Sequence, residues 1–220
     1  MKTQPTTREG EVPSRAASLA LVGGALCLDF ANTSSGRGTP NRLEHLRDWH
    51  HLVAWSEHAG VIDRSGYRTI AAASRGIPPP ESSLAPALKL REAIHAIFHA
   101  TAAGAAVPRH SIATLNDVLS EAMSQARVRC LGNRYAWTWA SKPTSPAQLL
   151  WPIARSAAEL LIGRELARVK ICPGSGCGWL FVDRTRNSSR RWCEMEVCGS
   201  RAKMRRYRQR RRQPAPHPPG

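Results

Sequence analysis

Apolar residues recur at helical spacing through most of this chain, give way once to alternation, and end in a cysteine- and arginine-rich segment. Leu43, Leu46, Trp49, Leu52, Val53 and Ala59 predict a helix opened by Pro40-Asn41 and stopped at Gly60. A weaker helix is expected from Asp63 to about Ser74. Leu84, Leu88, Ile94, Ile97 and Phe98 predict another over residues 83–103, ended by Gly104. Ile112, Leu115, Leu119 and Met123 place a fourth over 109–125. A long last helix starts near Ser145-Pro146 and runs to about Lys170, with Leu149, Leu150, Ile153, Leu160, Leu161 and Leu166 as its stripe. The period falls to two in Val128–Leu131 and Tyr135–Trp139, which read as a hairpin turning at Gly132-Asn133. Ala25–Asn32 reads as a strand leading into the loop Ser34–Thr39, and Ile77-Pro78-Pro79-Pro80 as a loop.

These elements predict an α+β, mostly α, architecture: a helix-rich domain over residues 18–168 with a few strands, then a small module over 169–212. Residues 1–17, polar with Pro5 and Pro13, and the Pro-rich 213–220 are expected to be disordered. Trp49, Trp55, Trp137, Trp139 and Trp151 fall on apolar stripes and read as core.

Charge changes the picture. The chain carries a formal +16, and the stretch from Lys170 to Arg212 holds 13 basic against 3 acidic residues. Such an excess favours a polyanionic partner. No run of about 20 apolar residues suggests a membrane span. The apolar stretch Ala16–Leu28 resembles a short signal core, yet Glu9 and Glu11 precede it and no small-x-small site follows. A cytoplasmic protein with reduced thiols is expected.

In that setting the paired cysteines read as ligands. Cys172 and Cys177 are separated by four residues, as are Cys193 and Cys198. Four thiolates with no water position make a closed structural zinc site; a pair of disulfides and an iron–sulfur cluster are the competing readings. Pro173, Gly174, Gly176 and Gly178 permit the tight first turn. Trp179–Val182 and Arg190–Trp192 read as two strands around 183–189. Knuckle, hairpin and a helix carrying the last ligand near its start is the order of a treble-clef zinc finger holding one Zn2+. Cys27 and Cys130 read as buried free thiols.

After Cys198 the chain becomes Arg-Ala-Lys-Met-Arg-Arg-Tyr-Arg-Gln-Arg-Arg-Arg from Arg201. On a helix Arg201, Arg205, Arg208 and Arg212 share one face, and Lys203, Arg206 and Arg210 line the next. Repulsion within such a rod is relieved beside a phosphate backbone. Arg184, Arg186, Arg190 and Arg191 between the cysteine pairs extend the expected nucleic-acid-binding set, with Tyr207 available to stack and Trp192 in the core. Duplex DNA is the expected partner; RNA or an acidic protein, bound by a zinc-stapled adaptor, is the alternative.

The run from Cys172 through Cys177-Gly178-Trp179-Leu180-Phe181, Asp183, Arg186-Asn187, Arg190-Arg191-Trp192-Cys193 and Cys198-Gly199 to Arg205-Arg206-Tyr207 resembles the CGNR zinc fingers of bacteria. Ser200 stands where that family has its name-giving asparagine. Gly23-Gly24-x-Leu26-x-Leu28-Asp29-Phe30-x-Asn32-Thr33, Leu52-x2-Trp55, Leu90-Arg91-Glu92 and Leu149-Leu150-Trp151-Pro152-Ile153-Ala154 resemble the ABATE domain of stress-induced transcription regulators. The resemblance implies a DNA-binding transcription regulator whose N-terminal domain senses a small-molecule effector or forms a homodimer.

Asp29, Asn32, Thr33 and Arg37 gather near one loop and are a candidate ligand set, against a local turn-bonding reading. His45, His50, His51 and His58 read as solvated or packed. No nucleophile–base constellation and no phosphate loop opening a helix occurs, so an enzyme is not expected.

Overall fold

Among the residues described by the computed structural model (15–37, 39–73, 84–141, 143 and 145–212), six of seven α-helices pack around a main apolar core, the last standing at the surface, with a smaller apolar cluster around the cysteines and three two-stranded antiparallel sheets. The triple proline and residues 213–220 fall outside the described residues. The helices are α1 (Leu26–Ala31), α2 (Trp49–His58), α3 (Arg64–Ala73), α4 (Ala85–Ala102), α5 (Arg109–Gln125), α6 (Leu150–Ile162) and α7 (Ser200–Arg212). The strands pair as β1 (Ser34–Ser35) with β2 (Leu43–Glu44), β3 (Ala126–Leu131) with β4 (Arg134–Trp139), and β5 (Val169–Ile171) with β6 (Leu180–Val182).

Central to the core is α1, which corrects the expected strand. Cys27, Leu28, Asp29, Phe30 and Ala31 are all buried, so the segment contacts protein on every side and loses the one-sided pattern that distinguishes helix from strand. It packs on α4, α6 and β6, with Phe30 tilted against Trp55 at 5.2 Å between ring centres.

The next helix begins later than its apolar spacing suggests. Residues 43–44 pair with 34–35, and the helix starts only at Asp48, whose carboxylate accepts the His51 amide at 2.9 Å as an N-cap. Gly60, at φ 72°, supplies the left-handed residue after its end. The predicted spans of α3, α4 and α5 agree with the structure over their described parts.

The long C-terminal helix is shorter than expected. A 3-10 turn, Pro146–Leu149, capped by Ser145 and Gln148, leads into α6, which stops at Gly163. A Cβ there would lie 2.7 Å from the Glu159 carbonyl oxygen. A second 3-10 turn, Arg164–Arg168, then turns the chain into β5.

The β3–β4 hairpin turns at Gly132-Asn133 as predicted. It stands off the body, however, and this corrects two expectations: Cys130 is exposed, and Trp137 is 47% exposed. The ribbon is anchored where Trp139 meets Trp151 and Arg155 lies over Trp137 and Trp139. Cys27 is buried, and burial pushes its thiol up to about 12.

Of the N-terminal residues expected to be disordered, 1–14 lie outside the described residues and 16–17 are ordered. Ala16 is buried and begins a 3-10 turn, and Leu19, also buried, packs with Cys172, Trp179, Phe181, Cys193 and Cys198. No helix among the described residues is long and apolar enough to cross a membrane.

A candidate metal centre and the basic helix it supports

Cys172, Cys177, Cys193 and Cys198 converge, their sulfur atoms all within 4.8 Å of one another. Cys193 Sγ lies 3.6 Å from both Cys177 Sγ and Cys198 Sγ. Thiolates at ~2.3 Å from a tetrahedral zinc are separated by about 3.8 Å, so the spacing matches one such ion. Three of the four are buried and Cys177 is partly so. Four thiolates this close repel one another, and a divalent cation offsets that repulsion by taking all four as ligands. The first turn leaves no room for a side chain, since a Cβ on Gly174 would sit 3.0 Å from Cys198 Sγ. The four cysteines thus form a single closed site that fits one Zn2+.

The strands of the module differ from the expected pair. Trp179–Val182 does supply a strand, but β6 pairs with β5 rather than with Arg190–Trp192. The 190–192 segment is held instead through Asp183, a fully buried carboxylate. Asp183 accepts bonds from Lys170 Nζ (2.6 Å), the Thr185 amide (2.9 Å) and hydroxyl (2.6 Å), and the Arg190 amide (2.9 Å). Burial opposes its charge, but the Lys170 ammonium and the Thr185 bonds hold the carboxyl well below the usual range.

On its other edge β6 is completed by the helical domain. The Asn32 side chain, 1% exposed, accepts the Leu180 amide and donates to the Leu180 carbonyl, both at 2.9 Å. One carboxamide thereby replaces the rungs of a neighbouring strand. The Val182 amide donates to the Gly23 carbonyl at 2.8 Å, and Leu180, Val182 and Val169 belong to the same apolar core as α1, α4 and α6. The module is seated in the domain rather than tethered to it.

One π turn, Met195–Gly199, carries Cys198 to the foot of α7. Along α7, Ala202 is buried, while Arg201, Lys203, Arg205, Arg206, Arg208, Arg210 and Arg211 are exposed. None of these cations makes an ion pair among the described residues. Ser200 opens the helix, its hydroxyl donating to the Met195 carbonyl at 3.4 Å. Arg186 and Arg191 are exposed, and Arg184 is exposed but pairs with Glu165 at 2.7 Å. Arg190 is turned inward: it donates to the Val22, Trp192 and Cys193 carbonyls and lies 4.5 Å over the Phe181 ring. Sequence reasoning missed this placement, because an arginine between basic neighbours carries no mark of burial.

The four residues read as a ligand set have internal partners. Asp29 accepts the Gly23 amide at 2.7 Å, and burial raises its carboxyl to about 6. Thr33 donates to the Phe30 carbonyl at 2.7 Å, and Asn32 holds β6. Arg37 meets Glu92 at 2.6 Å within a network in which Arg42 binds Glu92 and the buried Arg91 binds Glu44 and Glu92. This network ties the β1–β2 loop to α4.

Comparison with protein families gives two matches. The ABATE model, described as "Putative stress-induced transcription regulator", matches residues 24–164, and the CGNR zinc finger model matches 168–211. A comparison with curated proteins gave no match. With more than half of its length matched to ABATE and the four-cysteine centre in the matched finger, the chain belongs to the ABATE family and carries a C-terminal CGNR zinc finger.

Proposed function

We propose that the protein regulates transcription by gripping duplex DNA with α7, the metal centre fixing the foot of that helix against the body. One observation carries the reading. A helix of 13 residues, about 20 Å long, is exposed nearly all round and bears cations that make no ion pair among the described residues. The major groove, about 12 Å wide, admits such a helix. Arg201, Arg205 and Arg208 line its groove-facing side together with Ser200, Met204 and Gln209. Lys203, Arg206 and Arg210 on the adjacent face reach phosphates, and Arg186, Arg191 and Arg184, the last after release from Glu165, reach the backbone beside them. Arg190 holds the module together instead. The cytoplasm, where thiols stay reduced, is the compartment this reading requires.

Ser200 replaces the family asparagine at the first position of α7 and offers one hydroxyl in place of a carboxamide. Base reading at this position is therefore expected to differ from that of asparagine-bearing members. The test is selection from a random duplex pool with the zinc-loaded full-length protein, followed by fluorescence anisotropy. The enriched duplex should bind at least about tenfold tighter than a scrambled one. Equal affinity for both, or tighter binding to a structured RNA, would favour an adaptor over a regulator.

A further inference from the structure

Where the finger meets the N-terminal segment, a cleft of about 470 Å3 opens beside the metal centre, with Cys177, Cys193 and Cys198 in its wall together with Arg201 and Arg205 of the proposed DNA contact. Arg15 enters from the N-terminal segment, His45 from the residue after β2, and Arg201 and Arg205 from successive turns of α7. Glu194 is the one carboxylate in the lining. Arg15, Arg201 and Arg205 make no ion pair among the described residues, so three arginines line the space with one acid among them. Trp179 also lines it, its indole N–H buried beneath the surface. Apolar walls come from Leu19, Leu43 and Val197.

We propose that this cleft binds a small amphiphilic anion, a metabolite with a phosphate or carboxylate head and an apolar body, and that the bound anion draws Arg201 and Arg205 away from DNA. The volume suits a small metabolite. Guanidinium groups match both head groups with paired donors. The head group neutralises the cations nearest the foot of α7. The apolar body contacts the N-terminal segment, so occupancy is read by both halves of the molecule. The consequence for DNA rests on the reading of α7 given above; the binding of the anion does not.

Calorimetric titration of the zinc-loaded full-length protein with phenyl phosphate, benzoate and inorganic phosphate tests the cleft directly. Saturable binding of phenyl phosphate or benzoate is expected with Kd of about 0.1–1 mM, tighter than inorganic phosphate. Whichever of the two binds tighter identifies the head group. Arg15→Ala, at an exposed position outside the DNA-binding set, should weaken binding about tenfold, and Arg205→Ala similarly. No saturable binding, or wild-type affinity in both variants, overturns the proposal. In a second arm, the tighter probe should weaken duplex binding by the wild type and leave Arg15→Ala, which still binds duplex, unaffected. Absence of duplex binding in every sample would refute the DNA reading alone, and the titration would still decide the cleft.

Discussion

Replacing Asn32 by alanine removes the side chain that joins the helical domain to the finger, and its cost follows from the geometry. Two hydrogen bonds of 2.9 Å are lost, and the Leu180 amide and carbonyl are left unpaired in a site where Asn32 is 1% exposed. Each buried, unsatisfied backbone group costs about 1–3 kcal/mol, so Asn32→Ala should lower stability by about 2–5 kcal/mol. At about 3 kcal/mol the midpoint of thermal unfolding falls by roughly 6–12 °C for a chain of this size. Asn32→Asp is the informative companion. It keeps an acceptor for the Leu180 amide but sets a second carboxylate oxygen against the Leu180 carbonyl and buries a charge, so it should cost at least as much. Urea unfolding of the zinc-loaded protein, followed by circular dichroism, measures both. A loss below about 0.5 kcal/mol in Asn32→Ala would refute the idea that this carboxamide seats the finger, and would reopen its reading as a ligand contact.

Three further outcomes are expected. Removing the metal with a chelator, or replacing Cys172 and Cys198 by serine, should release residues 172–199, seen as faster amide hydrogen exchange there than in α4 and α5; unchanged exchange would mean that zinc is not structural. Acidification should destabilise the protein in two windows. Burial, with Arg37 nearby, lowers His95 from 6.5 to about 4, so the unfolded chain takes up a proton first and stability is lost as pH falls from 6.5 towards 4. Despite the opposing effect of burial, Arg37 and Arg91 lower Glu92 from 4.5 to about 2, so its contribution is lost between those values, and Glu92→Gln should flatten the melting-temperature profile in that lower window. Replacing Arg206 and Arg210 together by alanine should reduce the salt dependence of duplex binding by about two phosphates' worth of slope; an unchanged slope would exclude those side chains from the contact.

Legibility in the sequence tracked one-sided burial. Helices α3, α4 and α5 each keep a polar, exposed side, so their periodicity located them, and the hairpin declared itself through Gly132, which adopts φ 63°. Cysteine spacing alone located the metal centre, because thiolates that close one tetrahedron must come in turns. What escaped detection has no such signature. The buried α1 shows no polar face to set its period. Arg190 looks like one more surface cation until Phe181 and three carbonyls are placed around it. Asp183 and Asn32 act on partners that only the folded chain brings near; Asn32 and Leu180 are 148 residues apart. The exposed aromatic face of the β3–β4 ribbon misled in the other direction, since an alternating apolar pattern predicts burial but does not supply a layer to cover it.

The central claim is that a metal-fixed, arginine-dense helix grips the phosphates of DNA. Its most direct test is the duplex affinity of the zinc-loaded protein measured across a salt series. With about five phosphates neutralised, the plot of log affinity against log salt should fall with a slope of roughly −4 to −5. A slope near zero would contradict the claim, whatever the affinity at any single salt concentration.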